Sequence, residues 1–210
     1  TVSQHQNFNG TLTASGSETI TLSGDGDITA LTGIENYLIG DDSSNTRTIT
    51  ILSGTTSVTA NSTSDAITFA IGGSAYSGIL TGDSSVADNL LVTDGADVSG
   101  GVFNSIGTLS LASGASVAVD AENLNDFTTG ITGSTGIETL NLMDGGTFDF
   151  ATTNVTGIEG ISIGTNNVAT INLTDNFNAD TQTVSVTNTT GSAITADLVI
   201  DASAFVGDVL

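Results

Sequence analysis

Paired aspartates in polar, glycine-containing turns are the residues of this sequence best suited to chemistry. The pairs are Asp25 with Asp27, Asp41 with Asp42, and Asp94 with Asp97. Carboxylate and turn-carbonyl oxygens are the hard ligands that Ca²⁺ prefers. The pattern therefore predicts calcium binding at these six aspartates, and the alternative is that they are solvated turn residues.

Residues for covalent or acid–base catalysis are scarce. The chain has no Cys, its one His is His5, and its one basic side chain is Arg47. A Ser-His-Asp arrangement would have to recruit His5 from a terminal segment that is prone to fray. A glycosidase needs only two carboxylates, but the sequence has no Trp to form a platform for a sugar ring. We therefore expect that the protein is not an enzyme.

The charge of the chain excludes several kinds of partner. Its 210 residues include 23 acidic side chains and one basic side chain, for a formal net charge of -22. Nucleic-acid binders neutralise phosphates with Lys and Arg, and anionic membrane surfaces repel an acidic chain. No apolar run of about 18 residues is present, so no insertion into a membrane as a helix is expected. A charge of this size favours cations that bind or screen it.

Short alternating runs are the elements that must hold the acidic turns. Apolar residues alternate with Thr, Ser or Asn in segments such as 48–51, 108–111 and 170–173. This period of two predicts half-buried strands, and each run ends at the turn formers Gly, Asn, Asp or Ser. Residues 121–127 are the one segment expected to form one or two helical turns. The sequence therefore predicts an all-β protein.

An imperfect repeat connects these strands. The phrase Thr-Gly-Ile-Glu occurs at 32–35, 135–138 and 156–159, and each copy leads into a predicted strand. A period near twenty residues with short strands predicts a β-solenoid or solenoid-like stack. The absence of Pro and the small number of aromatic residues favour this fold over the alternative of one or two β-sandwich domains. We expect a single domain over 1–210, with a weak boundary near 83–104.

The glutamates of this phrase have two interpretations. In the structural one, Gly sets a turn, Ile enters the core, and Glu35, Glu138 and Glu159 point outward. In the functional one, the three glutamates line one face and bind ions or a neighbouring subunit. We favour the structural interpretation, because a recurring turn needs these residue types for its own geometry.

The phrases at 135–142 and 155–163 resemble the body segments of bacterial surface-layer proteins. They also resemble large calcium-dependent surface proteins of the RTX-like, one-step-exported type, which share this bias towards Thr, Ser, Gly, Ala and Asn. Residues 24–28 look like half of the glycine-aspartate nonapeptide that binds calcium in such repeat proteins, without its tandem copy. The resemblance implies a secreted or cell-surface protein with a structural role and bound calcium.

Two functions follow from these features. The first is an extracellular structural surface protein that self-assembles into a lattice or filament and is stabilised by divalent cations. The alternative is a calcium-stabilised adhesin, or a binding module that contacts cell-surface polysaccharide. Without Lys or Pro to blunt its terminal strands, the chain is expected to form a homopolymer through its ends. The segments expected to meet are 184–186, 198–200, Phe205, Val206, Val209 and Leu210 at one end, and Phe8, Leu12 and Ile20 at the other.

Overall fold

Short parallel strands wind into stacked coils. The computed structural model is 55% strand and 4% helix, and its coils form a β-solenoid of about six turns. The predicted all-β solenoid is therefore confirmed, and the sandwich alternative is wrong. The described residues are 19–22, 26–27, 36–40, 47–51, 54–61, 66–151, 153–164, 167, 169–178, 183–188, 193, 197–206 and 208–209.

The strands are short, and a single helix interrupts them in the described part of the chain. The first twelve strands are β1 (Thr19–Leu22), β2 (Gly26–Asp27), β3 (Asn36–Gly40), β4 (Arg47–Thr50), β5 (Ser57–Asn61), β6 (Ile67–Ile71), β7 (Ile79–Thr81), β8 (Asp88–Val92), β9 (Ala96–Asp97), β10 (Val102–Asn104), β11 (Ile106–Leu111) and β12 (Ser116–Val119). They are followed by α1 (Ala121–Asp126), β13 (Gly130–Thr132), β14 (Thr139–Leu142), β15 (Gly146–Asp149), β16 (Val155–Thr156), β17 (Gly160–Ile163), β18 (Ala169–Thr174), β19 (Phe177–Asn178), β20 (Thr183–Asn188), β21 (Leu198–Ala204) and β22 (Asp208–Val209).

Successive coils contribute their strands to four parallel sheets. The first sheet has the order β1-β3-β5-β7-β10, and the second has the order β19-β16-β13-β11-β8-β6-β4-β2. The third sheet runs β22-β20-β17-β14-β12-β9, and the fourth runs β15-β18-β21. Strands β8, β9 and β10 lie within 83–104, where the sequence suggests a weak boundary. There β8 pairs with β6 and β11, and β10 pairs with β7, so pairing is continuous across the start of this segment.

In-register apolar columns fill the interior. In the second sheet, each inward-facing residue pairs with the equivalent residue of the next coil, and all members are buried. The column consists of Ile49, Phe69, Leu90, Leu109, Ile131, Val155 and Phe177. The period-two pattern produces this column, because alternate side chains of a strand point to the same side. Burial of such a column is the main favourable term holding the coils together.

Helix α1 takes the place of one strand in the stack. It lies on the side of the solenoid where the first sheet ends and the fourth begins, and it contacts β10 and β15. Asp120 caps it by accepting the N–H of Asn123 at 2.7 Å, as an N-cap aspartate does. Inside the fold, the Asn123 amide donates to the carbonyl oxygen of Val98 at 2.8 Å. The helical turns expected from the sequence at 121–127 are thus confirmed.

Polar side chains also pair from coil to coil. In three places a serine hydroxyl donates to an asparagine side-chain oxygen 21 residues earlier, at 2.7–2.9 Å. The pairs are Ser57 with Asn36, Ser110 with Asn89, and Ser162 with Asn141. These contacts supplement the backbone ladder and use the small polar residues that alternate with the apolar ones.

The single basic residue lies inside the fold. Arg47 begins β4 and is 0% exposed, and it is the only Lys or Arg in the chain. We therefore expect trypsin to leave the native protein intact, because the protease needs an extended, accessible substrate. After unfolding in urea, one cut should give fragments 1–47 and 48–210. Mass spectrometry of timed digests checks this, and equally fast cleavage of native and unfolded protein would contradict the buried position of Arg47.

Candidate functional site

The C-terminal end of the stack leaves the apolar core open. In the fourth sheet, Phe148, Ile171 and Ile200 form one inward-facing column. Phe148 and Ile171 are 0% exposed, whereas Ile200 is 40% exposed. The difference arises because β21 is the last strand of this sheet in the described part of the chain. Ile200, whose register places it in this core column, is therefore partly exposed to solvent.

Two more apolar side chains are exposed beside Ile200. Val199 is 50% exposed on β21, and Val206 is 85% exposed just after it. The Val206 N–H donates to the carboxylate of Asp175 at 3.0 Å, which holds this segment against the preceding coil. Val199 lies on the opposite side of β21 from Ile200, because successive side chains of a strand alternate. We call Val199, Ile200 and Val206 the open end.

An ionised carboxylate borders the open end. Asp201 follows Ile200 in β21 and is exposed. Hydrogen bonds from the hydroxyl and the N–H of Ser203 lower the pKa of Asp201 below its ordinary value of 3.8. The carboxylate is therefore charged at neutral pH. Any acidic surface that approaches the open end meets this charge.

The structure accounts for several of the terminal segments singled out in the sequence. Segment 184–186 lies in β20, and segment 198–200 begins β21. Val209 pairs with Val184 through β22, so this part of the predicted contact segment already has a strand partner within the chain. Phe205 packs partly buried against the core. Ile20 lies in β1 and pairs with Tyr37, while Phe8, Leu12 and Leu210 lie outside the described residues.

Two glutamates of the recurring phrase connect successive coils. Glu138 is 0% exposed, and its Oε1 accepts a hydrogen bond from the N–H of Gly114 at 2.7 Å. Glu159 is 8% exposed, and its Oε2 accepts from the N–H of Glu138 at 3.1 Å. Each carboxylate thus satisfies a backbone donor of the coil before it.

The expected orientation of this phrase is wrong for both described glutamates. Ile137 is 71% exposed and Glu138 is buried, which reverses the prediction, whereas Ile158 is buried as expected but Glu159 is buried too. The period of two does not continue through a turn, and turn N–H groups inside the stack need acceptors. The 21-residue spacing of the two glutamates is the sequence signal for their contact. Glu35 lies outside the described residues.

Two glycines, Gly133 and Gly157, allow the turns before Glu138 and Glu159 to lie close together. A Cβ added at Gly133 would lie 1.6 Å from the carbonyl oxygen of Gly157 and 3.1 Å from Oε2 of Glu138. Gly157 itself has a φ of +64°, in the left-handed region that favours glycine. The two turns can approach closely only because both positions lack a side chain.

Asp88 is a third buried carboxyl group that accepts hydrogen bonds from backbone N–H groups. It is not among the residues predicted from the sequence. Asp88 is 0% exposed and begins β8. Its Oδ1 accepts the N–H of Ile67 in the preceding coil, and its Oδ2 accepts the N–H of Asp83, both at 2.6 Å. Burial raises the pKa of Asp88, while the two hydrogen bonds act in the opposite direction. Its position directly before an alternating run is a weak sequence signal for this role.

The structure does not bring the predicted calcium ligands together within the part of the chain that it describes. Asp94 accepts the N–H of Gly95 at 2.8 Å, and Asp97 accepts the N–H and hydroxyl of Ser99, so each supports its own turn. Asp27 ends β2, and Asp25, Asp41 and Asp42 lie outside the described ranges. Among the described residues, no three Asp, Glu or His side chains converge as a metal site would require. Calcium binding at the six aspartates stays a prediction.

A polar groove of about 410 Å³ lies beside the turn that follows β7. Its lining includes the carboxylates of Asp83 and Asp126 and five hydroxyl groups, and it contains no aromatic ring. The hydroxyls belong to Ser84, Ser85, Ser105, Thr128 and Thr129. Burial and the nearby charges of Glu122 and Asp120 raise the pKa of Asp126. The groove thus offers many hydrogen-bonding groups to a hydroxylated ligand.

Comparisons with protein-family models, curated proteins and solved structures find no match. The helix formed by the described residues is too short to cross a membrane. The open end, the buried carboxylates and the groove are the features of the described chain that bear on its function.

Removing a buried carboxylate should weaken the stack. We expect Glu138→Ala to lower the free energy of unfolding by about 1–2 kcal/mol, because the part-buried hydrogen bond from the N–H of Gly114 to the Glu138 side chain is lost. Glu122→Ala is the matched control, since Glu122 is exposed on α1, and should cost about 0.5 kcal/mol. Urea unfolding followed by circular dichroism measures both. Equal losses in the two variants would contradict the connecting role of Glu138.

The pKa of Asp88 should lie above 3.8, the ordinary value for an aspartate, and the pKa of Asp83 should lie below it. Burial raises the pKa of Asp88, whereas hydrogen bonds from Ser85 lower the pKa of Asp83. A raised native pKa means that the stability contributed by Asp88 is complete below its unfolded pKa and is lost as pH rises through the native pKa. Carboxyl-carbon NMR over pH 2–7 should show Asp83 ionising first. An Asp88 midpoint at or below that of Asp83 would refute the assigned burial effect.

Proposed function

We propose that this protein is an extracellular structural surface protein whose copies assemble end to end into a filament or lattice. The observation that carries the proposal is the open end, where Ile200 occupies a core column but is 40% exposed. A second copy stacked on β21 would continue that column. The proposed role is structural and involves no catalysis.

Edge-strand physics supports assembly through the ends. The last strand of a sheet has N–H and C=O groups without a strand on one side, and these groups can pair with another chain. Proteins usually block such edges with Lys or Pro, and this chain has no Pro and only one basic residue, Arg47, which is buried. Because the two ends of a parallel stack differ, the contact is head-to-tail. Such contacts generate filaments unless the rotation closes a ring.

Divalent cations are proposed to stabilise the assembly. Each copy carries a net charge of -22, and the ionised Asp201 lies at the open end. Approach of two such copies is opposed by repulsion that salt screens over about 8 Å at physiological ionic strength. Calcium, the cation implied by the acidic turns and by the resemblance to secreted surface proteins, would lower this barrier further. An extracellular or cell-surface location supplies calcium at high concentration.

The polar groove supports a second candidate, an adhesin that contacts polysaccharide. Hydroxyl groups from five residues and the carboxylates of Asp83 and Asp126 provide donors and acceptors for sugar hydroxyls. A glycan array followed by calorimetry tests this function, with Thr129→Val as the variant that removes one groove hydroxyl. Binding that is weakened by Thr129→Val, in a protein that stays monomeric, would favour the adhesin.

A charge at the open end should block assembly. We expect Ile200→Asp to stay soluble and to form no filaments under conditions where the parent protein forms them, because the next copy would have to bury a carboxylate. Ile137→Asp is the matched control, since Ile137 is exposed in a turn, and it should assemble like the parent. Light scattering and negative-stain microscopy read out assembly, and circular dichroism confirms folding.

The same measurements are made in calcium and in chelator at matched ionic strength. We expect calcium to lower the concentration at which filaments appear. A parent protein that stays monomeric at high concentration in calcium would overturn the proposed assembly. Equal assembly of Ile200→Asp and Ile137→Asp would show that the open end is not the contact.

A further inference from the structure

The outward face of the first sheet carries no charged side chain in strands β5, β7 and β10. Its outward-facing residues there are Ser57, Thr59, Ile79, Thr81, Val102 and Asn104. The strands are parallel and in register, so these side chains form two rows across the sheet. The outward positions of β4, β6 and β11 in the second sheet are also uncharged, so this face is distinguished by its exposed apolar residues together with its lack of charge.

Two large apolar residues lie side by side on this face. Ile79 is 42% exposed and Val102 is 48% exposed, and they are register partners in adjacent strands. The other exposed large apolar residues of the described chain are Ile137 in a turn and the three residues of the open end. The first sheet is therefore the one sheet face, apart from terminal strand β21, that exposes large apolar side chains among the described residues.

Charge decides which partner fits this face. Acidic side chains flank the sheets at the turns, as Asp83 does directly after β7 and Gly82. Two copies of an acidic protein repel each other wherever carboxylates meet, and like-charge contacts across an interface cost several kcal/mol. A face without carboxylates avoids this cost. The same face on a second copy offers matching apolar residues and hydroxyl groups.

We propose that two copies pair laterally, first sheet against first sheet, with Ile79 and Val102 near the centre of the contact. Such a contact is isologous, since the same patch is used on both copies. Packed sheets lie about 10 Å apart face to face. Its biological role rests on the proposed end-to-end assembly, because lateral pairing would join filaments into a lattice. Salt should strengthen the pairing, because Asp83 lies at its edge.

The test separates lateral pairing from end-to-end assembly. Ile200→Asp blocks the open end in the full-length chain, and sedimentation equilibrium of this variant then reports lateral dimers alone. Adding Val102→Glu should raise the dimer dissociation constant at least about tenfold, because two carboxylates face each other across the contact. Val102→Thr, which keeps the β-branched shape without charge, should raise it less than about threefold.

A label distance locates the contact independently of affinity. The chain has no Cys, so one nitroxide can be placed at Asn104→Cys on the first sheet or at Ser116→Cys on the third sheet. We expect a short distance between labels on two copies at position 104 and none at position 116. Monomeric Ile200→Asp at high concentration, an unchanged dimer after Val102→Glu, or equal label distances at both positions would each overturn the inference.

The outcomes also distinguish the two proposals. Lateral dimers in Ile200→Asp, together with a parent protein that forms no filaments, would sustain the lateral contact and overturn end-to-end assembly. Filaments in the parent that are unaffected by Val102→Glu, with monomeric Ile200→Asp, would sustain the end contact and overturn the lateral one.

Discussion

The structure depends on the parallel, in-register hydrogen-bond ladder between coils. A single coil cannot satisfy its own backbone N–H and C=O groups, so each coil depends on stacking against a neighbouring coil. The same register stacks Ile49, Phe69 and Leu90 into one buried column. In the described part of the chain it also leaves Ile200, on the last strand of the fourth sheet, 40% exposed. The interaction that builds the fold thus creates the surface proposed for assembly.

The distribution of charge follows from the same constraint. Sheet faces need side chains that pack on a pleated surface, so Thr, Ser and Asn are common on them, and half of the described acidic residues lie outside the strands and the helix. Where a turn packs against the preceding coil, a buried carboxyl group accepts a hydrogen bond from a backbone N–H group of that coil. Asp88, Glu138 and Glu159 are the three examples. The uncharged outward face of the first sheet and the acidic turns together limit where two copies can touch.

The sequence predicts the strands well and the turns poorly. Alternation at 48–51 and 170–173 places β4 and β18 nearly to the residue, because the period of two survives wherever one side is buried. The burial of Glu138 could not be predicted, since it depends on a donor 24 residues away at Gly114. For the open end, the sequence marks 198–200 as an apolar terminal segment. Only the register shows that Ile200 continues the column of Phe148 and Ile171.

Cryo-electron microscopy of the protein assembled in calcium tests the central claim most directly. We expect filaments in which the solenoid axis runs along the filament and the strand spacing of about 4.8 Å continues across each junction. Ile200 would then be buried by the first coil of the next copy. Filaments or sheets in which the solenoids contact one another only sideways, with Ile200 still facing solvent, would contradict it.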